Sequence, residues 1–216
     1  MLQLAETVLW CTLGCYGARY WRRQTALVLA LGLTSAMASQ LWLLRLDGQL
    51  ALQNALPLHL CGFSALVAIG LCFTYSSTGF HFLVLLGMPG ALLALVFPAV
   101  TECSRPVLMR MAFVRLHALI PAVGVFLLAQ KRPLPSDPRR SLLLGNGLML
   151  AAACVNSLTG SNYLFLRAAP SGTPLAWLIR HGYGVYVAGL ELLCMLLLST
   201  LCAGFRRLYL RNQASM

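Results

Sequence analysis

Apolar runs separated by short polar connections fill almost the whole chain. A helix that crosses a bilayer needs about 20 mostly apolar residues. Seven runs approach that length, at roughly 2–19, 25–44, 56–75, 80–100, 111–129, 141–159 and 184–204. The pattern therefore predicts a single all-α domain over 1–216, a polytopic membrane protein built as a bundle of seven transmembrane helices.

The connections are short except for 160–183, which contains two prolines and an apolar stretch of its own. Irregular backbone at membrane depth is tolerated only where protein or a water-filled cavity surrounds it. We therefore expect this segment to fold over the external mouth of the bundle as a lid or as a re-entrant segment.

The overall composition agrees with a membrane protein. Of the 216 residues, 59% are hydrophobic and only 10% are charged, and the mean hydropathy is +0.78. An average soluble domain has about 25% charged residues. The composition excludes an ordinary soluble globule and a disordered chain, and it predicts an integral multi-pass membrane protein.

The basic residues predict the orientation of the bundle. Sixteen Lys and Arg residues oppose five acids and give a net charge of +11. Ten of these bases lie on the side reached after segments one, three, five and seven: Arg19, Arg22, Arg23, Lys131, Arg132, Arg139, Arg140, Arg206, Arg207 and Arg211. Five lie on the opposite side: Arg45, Arg105, Arg110, Arg167 and Arg180. The positive-inside rule predicts an external N-terminus and a cytoplasmic C-terminus, and we expect no nucleic-acid partner.

Eight cysteines are present, but no CxxC pair occurs and seven of the eight lie within apolar runs. Such cysteines are typical of buried apolar packing rather than of a disulfide or zinc framework. We predict no cofactor and no bound metal.

Polar side chains within the apolar runs share one depth. Measured from the predicted helix ends at about 1.5 Å per residue, they lie within about 10 Å of the external surface. The set comes from five helices: Gln40, His59, Cys61, Arg115, His117, Asn156 and Glu191. Because polar groups in lipid are costly and commonly functional, this set predicts one polar pocket in the external third of the membrane.

The spacing of these residues assigns roles within the pocket. His59 and Cys61 are about 200° apart around a regular helix, so His117 from another helix is the better base for the Cys61 thiol. Pro57 suits the first helical position and would leave Cys61 about one turn into its helix. Glu191 or Asn156 would orient the imidazole, in a nucleophile, base and orienter arrangement.

Structural roles are equally open for several of these residues. Arg115 and Glu191 could form an ion pair that only stabilises the bundle, since each needs a partner in lipid. Asn156 and Gln40 could be hydrogen-bonding contacts between helices. Cys61 could be inert packing, and His117 could be an interhelical hydrogen bond.

Three segments carry a resemblance to a known family. Residues 56–61 read LPLHLC, 115–120 read RLHALI and 160–166 read GSNYLFL. Together with the glycine and proline run at 87–98, Asn156 and Glu191, they resemble the YwaF-like integral membrane proteins of bacteria. These share a domain with an animal transmembrane acyltransferase that makes polyunsaturated ether phospholipids. The resemblance implies a bundle of about seven helices and acyl transfer between phospholipids, with Cys61 at the position of a cysteine that begins a helix. It also implies that the protein lies in the bacterial plasma membrane.

Our leading hypothesis is a membrane-embedded lipid acyltransferase or esterase that acts on a phospholipid or lysophospholipid. Cys61 would be the nucleophile, with His117 or His59 as base and Glu191 as the orienting group. Arg115, Asn156, Asn162, Tyr163 and Gln40 would bind the substrate. A small-solute or ion transporter using the same cluster, with Arg115 and Glu191 as a gate and a path past Asn146, is the first alternative. A zinc hydrolase with His59, Cys61 and His117 as ligands is the second.

Overall fold

The computed structural model describes residues 2–130, 134–169, 173 and 175–214 of the chain. Within these residues every regular element is helical. Seven helices exceed ten residues and are numbered here in chain order: α1 Leu2–Tyr20, α2 Arg22–Leu46, α3 Leu60–Phe73, α4 Ser77–Val96, α5 Pro106–Leu128, α6 Pro138–Thr159 and α7 Tyr183–Ala214. Short helical turns lie between them, at Leu52–Ala55, Tyr163–Phe165, Leu175–Leu178 and Ile179–His181.

Each long helix overlaps one of the predicted apolar segments, which confirms the prediction of an all-helical membrane bundle. In the described part of the chain, five helices (α2, α4, α5, α6 and α7) have both the length and the hydropathy of a membrane span. Helix α3 is shorter, with 14 residues. At about 1.5 Å per residue it rises about 21 Å, less than the hydrocarbon thickness of about 30 Å.

Contacts between helix termini define two ends of the bundle. At the end where α3 begins, here called the site end, Asp47 after α2 contacts Ser104 and Arg105 before α5. Gln53 Nε2, between α2 and α3, donates to the carbonyl of Thr159 at the end of α6. The ends of α2 and α6 and the starts of α3 and α5 therefore share this end.

The opposite end, here called the basic end, carries Arg22 and Arg23 at the start of α2. These arginines share a cavity with residues at the ends of α3 and α5. Arg140 in the first turn of α6 donates to Ser77 Oγ at the start of α4. Neighbouring helices in the chain thus run in opposite directions, as in an up-and-down bundle.

Helix α5 lies at the centre of the bundle and is the most buried of the candidate spans. Small residues let three helices approach it closely. A Cβ on Gly14 of α1 would lie 2.8 Å from the carbonyl oxygen of Ala122, and one on Gly32 of α2 would lie 3.0 Å from Leu119 Cδ1. A Cβ on Gly124 of α5 itself would lie 2.1 Å from Met88 Sδ of α4. Close approach at small residues is a common way for helices to pack in membranes.

Helix α4 changes its winding in the middle. A π-helical stretch, Leu83–Gly87, precedes Met88–Val96, in which Pro89 occupies one of the first two positions. Proline has no backbone N–H and its ring clashes with the preceding turn of a regular α-helix. Wider π-helical winding there accommodates Pro89, and such stretches are frequent at functional sites. The helix ends at Val96, because Phe97 precedes Pro98 and takes a non-helical conformation, with φ −120° and ψ 74°.

Candidate functional site

Cys61 occupies the first turn of α3, closer to the helix terminus than the sequence predicts. The placement of Pro57 as the first helical residue is wrong: Leu56 is extended, His59 is the N-cap with φ −75° and ψ 150°, and the helix begins at Leu60. The residue before a proline is biased away from helical conformation, which accounts for the extended Leu56. Cys61 is therefore the second residue of the helix, where the field of the helix dipole is strongest.

The first turn of α3 leaves backbone donors open. Phe63 N–H donates to the carbonyl of His59 at 3.0 Å and is the first backbone bond of the helix. Among the described residues, the N–H groups of Cys61 and Gly62 have no acceptor. Unpaired N–H groups at a helix N-terminus favour a negative charge placed beside them.

The segment before Cys61 folds back over the helix start. A Cβ on Gly62 would lie 3.2 Å from Pro57 Cα, a closer approach than most side chains tolerate. The LPLHLCG sequence therefore combines an extended turn at Leu56 and Pro57 with a glycine that lets this turn pack against the helix. This packing places Cys61 under the turn, half-buried.

His117 lies in the buried centre of α5 and is 5% exposed. Its ring packs on Phe113 with centroids 4.0 Å apart, and Nδ1 lies 2.7 Å from the carbonyl oxygen of Phe113. A carbonyl only accepts, so Nδ1 carries the proton and the lone pair resides on Nε2. In the described part of the chain, Nε2 makes no hydrogen bond. Pro121 is four residues on and has no N–H, so the His117 carbonyl also lacks its usual helical donor.

Neighbours of both Cys61 and His117 pack against α4. Leu60, next to Cys61, packs so closely on Gly90 that a Cβ there would lie 2.7 Å from Leu60 Cδ2. His117 is seven residues, or two turns, before Gly124, and so it shares the face of α5 that packs on Met88. Cys61 also packs on the main core cluster, to which α5 contributes Leu116, Leu119 and Ile120 around His117. No hydrogen bond joins Cys61 to His117 in the residues described, and such bonds often tighten only when substrate is present.

Ser64 was not singled out from the sequence, where it looks like a small packing residue in an apolar run. Its side chain is fully buried one turn after Cys61, and its Oγ has no hydrogen-bond partner among the residues described. A Cβ on Gly87, in the π-helical stretch of α4, would lie 2.9 Å from this oxygen. An unpaired buried hydroxyl is unusual and marks the interface of α3 and α4 next to Cys61.

His59 faces the long connection rather than Cys61. Its ring lies 5.1 Å from that of Tyr163 and 5.4 Å from that of Phe165, measured between centroids. Leu56 and Leu58 pack on the buried cluster formed by Tyr163, Leu166 and Ala152. The start of the connection thus covers the segment that precedes Cys61. The lid prediction for 160–183 also extends over 170–172 and 174, which lie outside the described residues.

Asn156, Asn162 and Tyr163 form the internal bonds of this connection. Asn156 Oδ1 accepts from Tyr163 N–H at 2.8 Å and from Ser161 Oγ at 3.0 Å. Tyr163 Oη donates to the Leu52 carbonyl at 2.6 Å and accepts from Leu56 N–H at 3.0 Å. Among the described residues, the Asn162 side chain bonds to backbone groups of Arg167 and Ala168. All three side chains hold the loop in shape, and their assignment to substrate binding stays a prediction.

Arg115 has a different partner from the one expected. Its Nε lies 3.7 Å from Glu6 Oε1 of α1, and both side chains are partly exposed. The expected ion pair with Glu191 is therefore replaced by a pair with Glu6, because α1 packs along α5. Glu191 is half-buried in α7. Gln40 Nε2 approaches the Ala112 carbonyl at 3.4 Å, a contact between α2 and α5.

The two alternative functions, a zinc hydrolase and a transporter, have less structural support. No group of three or more His, Cys, Asp or Glu side chains that could hold a metal occurs in the described residues. His59, Cys61 and His117, the three ligands considered, face different neighbours. Asn146, on the path considered for transport, is exposed on α6.

The chain matches one known protein family over most of its length. The model of the TMEM164 family matches residues 1–202. The chain belongs to the TMEM164 family. This is a membrane family, as expected, but the match does not confirm the YwaF-like name. Neither the curated proteins nor the solved structures contain a match.

The TMEM164 match extends from α1 into α7 and includes every candidate residue from Gln40 to Glu191. It also includes Glu6, the partner of Arg115, and Ser64, beside Cys61. Family membership therefore applies to the whole bundle around the site and leaves out only the last part of α7.

Proposed function

We propose that this protein transfers acyl groups between phospholipids inside the membrane, with Cys61 as nucleophile and His117 as base. The observation that carries the proposal is the 2.7 Å contact between His117 Nδ1 and the Phe113 carbonyl oxygen. Because this contact engages Nδ1, the basic Nε2 is the nitrogen left for chemistry. His117 is buried among the residues of the core on which Cys61 also packs. Such water-poor surroundings favour acyl transfer over hydrolysis.

The first half-reaction forms a thioester. His117 Nε2 takes the proton of the Cys61 thiol as Sγ attacks the ester carbonyl carbon of a phospholipid. The ester C–O bond then breaks, and the imidazolium returns the proton to the departing oxygen. The products are a lysophospholipid and acyl-Cys61.

The second half-reaction transfers the acyl group to the acceptor. The hydroxyl of another lysophospholipid attacks the thioester carbon, and His117 Nε2 accepts its proton. The C–S bond breaks, and the Cys61 thiolate recovers a proton from the imidazolium. Water in place of the lysophospholipid would give a lipid esterase by the same steps, without a cofactor.

The first turn of α3 supplies an oxyanion site in this proposal. Each half-reaction passes through a tetrahedral intermediate whose oxygen is negatively charged. The open N–H groups of Cys61 and Gly62, at the positive end of the helix, are placed to donate to it. Removing one such donor from an enzyme typically costs about 100-fold to 1,000-fold in rate.

Other candidate residues act around this centre. His59 closes the site from the side of Tyr163 and Phe165 and is a second candidate base. Arg115, held by Glu6, lies about half a helix turn from His117 and would attract the lipid phosphate. Asn156 and Tyr163 act as positioning residues, since they hold the loop that packs on 56–58. Glu191 remains our candidate for orienting the imidazole.

The depth of the site suits an ester carbonyl. We propose seven membrane passes with the N-terminus outside and the C-terminus cytoplasmic, on the basis of the distribution of basic residues. Because α3 rises only about 21 Å, a start at Leu60 leaves Cys61 several ångströms below the external headgroups. The bacterial plasma membrane stays our prediction for the location.

Trapping of the thioester tests this function. The purified protein would be placed in nanodiscs that contain a phospholipid with an alkyne-labelled acyl chain. We expect a label on the protein that hydroxylamine removes, and we expect Cys61→Ala to abolish it. His117→Asn should retain the thiol but slow labelling about 100-fold or more, as expected for loss of a general base.

Cys154→Ala is the matched control, because Cys154 is an exposed cysteine of α6 and does not pack on the core cluster that Cys61 contacts. It should label like the wild type. Equal labelling of Cys61→Ala and wild-type protein would refute the role of Cys61. A His117→Asn variant that folds and labels at the wild-type rate would refute the role of His117.

A further inference from the structure

We infer that the basic end binds the headgroup phosphate of an anionic phospholipid in a cavity distinct from the acyl-transfer site. A cavity of about 530 Å³ lies between the start of α2, the end of α3 and the end of α5. This volume is in the range of small-molecule sites in proteins. It opens at the end opposite to Cys61, and the inference does not rest on the proposed acyl transfer.

The lining of the cavity is amphipathic. Its walls are mostly apolar and come from three helices: Ala26, Leu27, Leu71, Phe73, Phe126 and Leu127. Arg22 and Arg23 stand at its edge, and both are exposed. Among the residues described, neither arginine forms an ion pair with an acid. Apolar walls with two guanidinium groups at the rim match an amphiphile with a phosphate head.

The backbone at the start of α2 adds to this charge. Trp21 is the N-cap, and it makes no side-chain capping bond. The first turn has no acid, and the first backbone bond is from Thr25 N–H to the Trp21 carbonyl. The N–H groups of Arg22, Arg23 and Gln24 therefore have no acceptor in the described part of the chain.

A second basic helix start, at α6, provides an internal comparison. Asp137 caps α6 by accepting from Arg139 N–H at 3.0 Å. Arg140 is also occupied, since its Nη1 donates to Ser77 Oγ at 2.5 Å. Both helix starts carry two consecutive arginines at the same end of the bundle. At α6 an acid caps the helix and one of the two arginines is bonded, whereas at α2 no side chain among the described residues caps the helix and both arginines line the cavity. We therefore assign the anion site to α2.

A phosphate diester of a membrane lipid is the occupant that fits best. Free phosphate would bind the two arginines but would make no apolar contacts with the walls of the cavity. A zwitterionic lipid brings its own cation to the phosphate and gains less from two arginines. We therefore expect preference for a lipid with net negative charge, such as phosphatidylglycerol.

The test uses the full-length protein in detergent micelles, titrated with phosphatidylglycerol or phosphatidylcholine and examined by native mass spectrometry. We expect retained phosphatidylglycerol and a thermal shift with this lipid only. Arg22→Gln with Arg23→Gln should weaken binding about tenfold or more. The control pair, Arg139→Gln with Arg140→Gln, removes the same charge at the same end and should change binding less than about twofold.

Two further variants keep the result interpretable. Arg22→Lys with Arg23→Lys preserves the charge and should retain most of the binding. Leu27→Trp fills the cavity while keeping both arginines and should reduce binding.

Equal loss of lipid binding in the two pairs of glutamine variants, or no preference for phosphatidylglycerol, would overturn the site. The same thermal shift with inorganic phosphate alone would overturn the lipid assignment and leave a site for free anions. Thioester labelling of Cys61 is expected to be normal in every variant.

Discussion

The side-chain amide of Asn156 forms a two-way bond with the backbone of Tyr163. Its Oδ1 accepts from Tyr163 N–H at 2.8 Å, and its Nδ2 donates to the Tyr163 carbonyl at 3.0 Å. The next two residues, Leu164 and Phe165, have positive φ values of 55° and 57°, which side-chain-bearing residues rarely adopt. Such strain persists only where surrounding bonds enforce it, and Asn156 supplies those bonds.

Replacement of Asn156 by Ala should therefore release this loop. The change leaves the N–H of Tyr163 without its acceptor and the carbonyl of Tyr163 without its side-chain donor, while the hydroxyl of Ser161 keeps its hydrogen bond with Thr159. A buried group left unsatisfied costs about 1–3 kcal/mol. We expect the free energy of unfolding in detergent to fall by about that amount, with faster proteolysis at 160–169.

Ser157→Ala is the control for this prediction. Ser157 is the next residue of α6, is exposed, and bonds only to the Ala153 carbonyl of its own helix. It should leave both the stability and the cleavage rate near those of the wild type. Unchanged proteolysis in Asn156→Ala would show that the loop keeps its shape without this amide.

Replacing either of two buried serines by alanine should change stability in the same way, but only one replacement should change activity. Neither Ser64 nor Ser141 has a hydrogen-bond partner for its Oγ among the described residues. Removing an unpaired buried hydroxyl is expected to raise the free energy of unfolding, by about 1 kcal/mol in each variant. Only Ser64 lies next to Cys61, so only Ser64→Ala should also slow thioester labelling.

Chemical denaturation and the labelling rate, measured on the same preparations, check this pair. Ser141 lies at the basic end and serves as the control for a pure effect on stability. A loss of stability in Ser64→Ala would mean that the hydroxyl has a partner in the membrane. Unchanged labelling in a stable Ser64→Ala variant would exclude Ser64 from the site.

The sequence predicts the helices well, because apolar runs report burial in lipid directly. It misses the start of α3, since Pro57 would suit a helix start and only packing on Gly62 shows that this turn lies outside the helix. Chain spacing likewise could not identify Glu6 as the partner of Arg115. That pair depends on α1 lying along α5, which is decided by the close approach at Gly14.

The site was predictable in its residue types and less so in its contacts. Cys61 and His117 stand out because polar groups in apolar runs are rare. The bond of His117 to Phe113 follows from helix geometry, but its consequence for Nε2 required the observed ring orientation. Ser64 carries no signal in the sequence, because a buried serine usually bonds to its own helix.

Glu6 and Arg115 should behave as a coupled pair in a double-mutant cycle. Their nearest atoms are 3.7 Å apart and both side chains are partly exposed, so the coupling should be modest, about 0.2–1 kcal/mol. We expect Glu6→Gln and Arg115→Gln each to destabilise the protein and the double variant to cost less than the sum of the two.

Arg110 provides the control for this cycle. It lies on the same helix, five residues before Arg115, and makes no ion pair in the described part of the chain. A cycle of Glu6→Gln with Arg110→Gln should be additive within about 0.5 kcal/mol. If the two cycles give equal coupling, the attraction is a general effect of charge and the specific contact contributes nothing.

The connection between α4 and α5, at the site end, should weaken in acid through Asp47. Ser104 donates to this carboxylate through its hydroxyl and through its N–H at 2.5 Å, and Arg105 lies 3.5 Å away. These bonds, the hydroxyl first, lower the pKa of Asp47 below its ordinary value of about 3.9. A lowered pKa gives stability that is present at pH values above the ordinary pKa and is lost as the pH falls through the pKa of the folded state.

The midpoint temperature of thermal unfolding should therefore decrease in the wild type when the pH is lowered below about 4, and it should decrease less in Asp47→Asn. At neutral pH Asp47→Asn should unfold earlier than the wild type, while Glu102→Gln on the same connection should follow the wild-type curve. Parallel curves for Asp47→Asn and wild type would mean that another acid controls the transition.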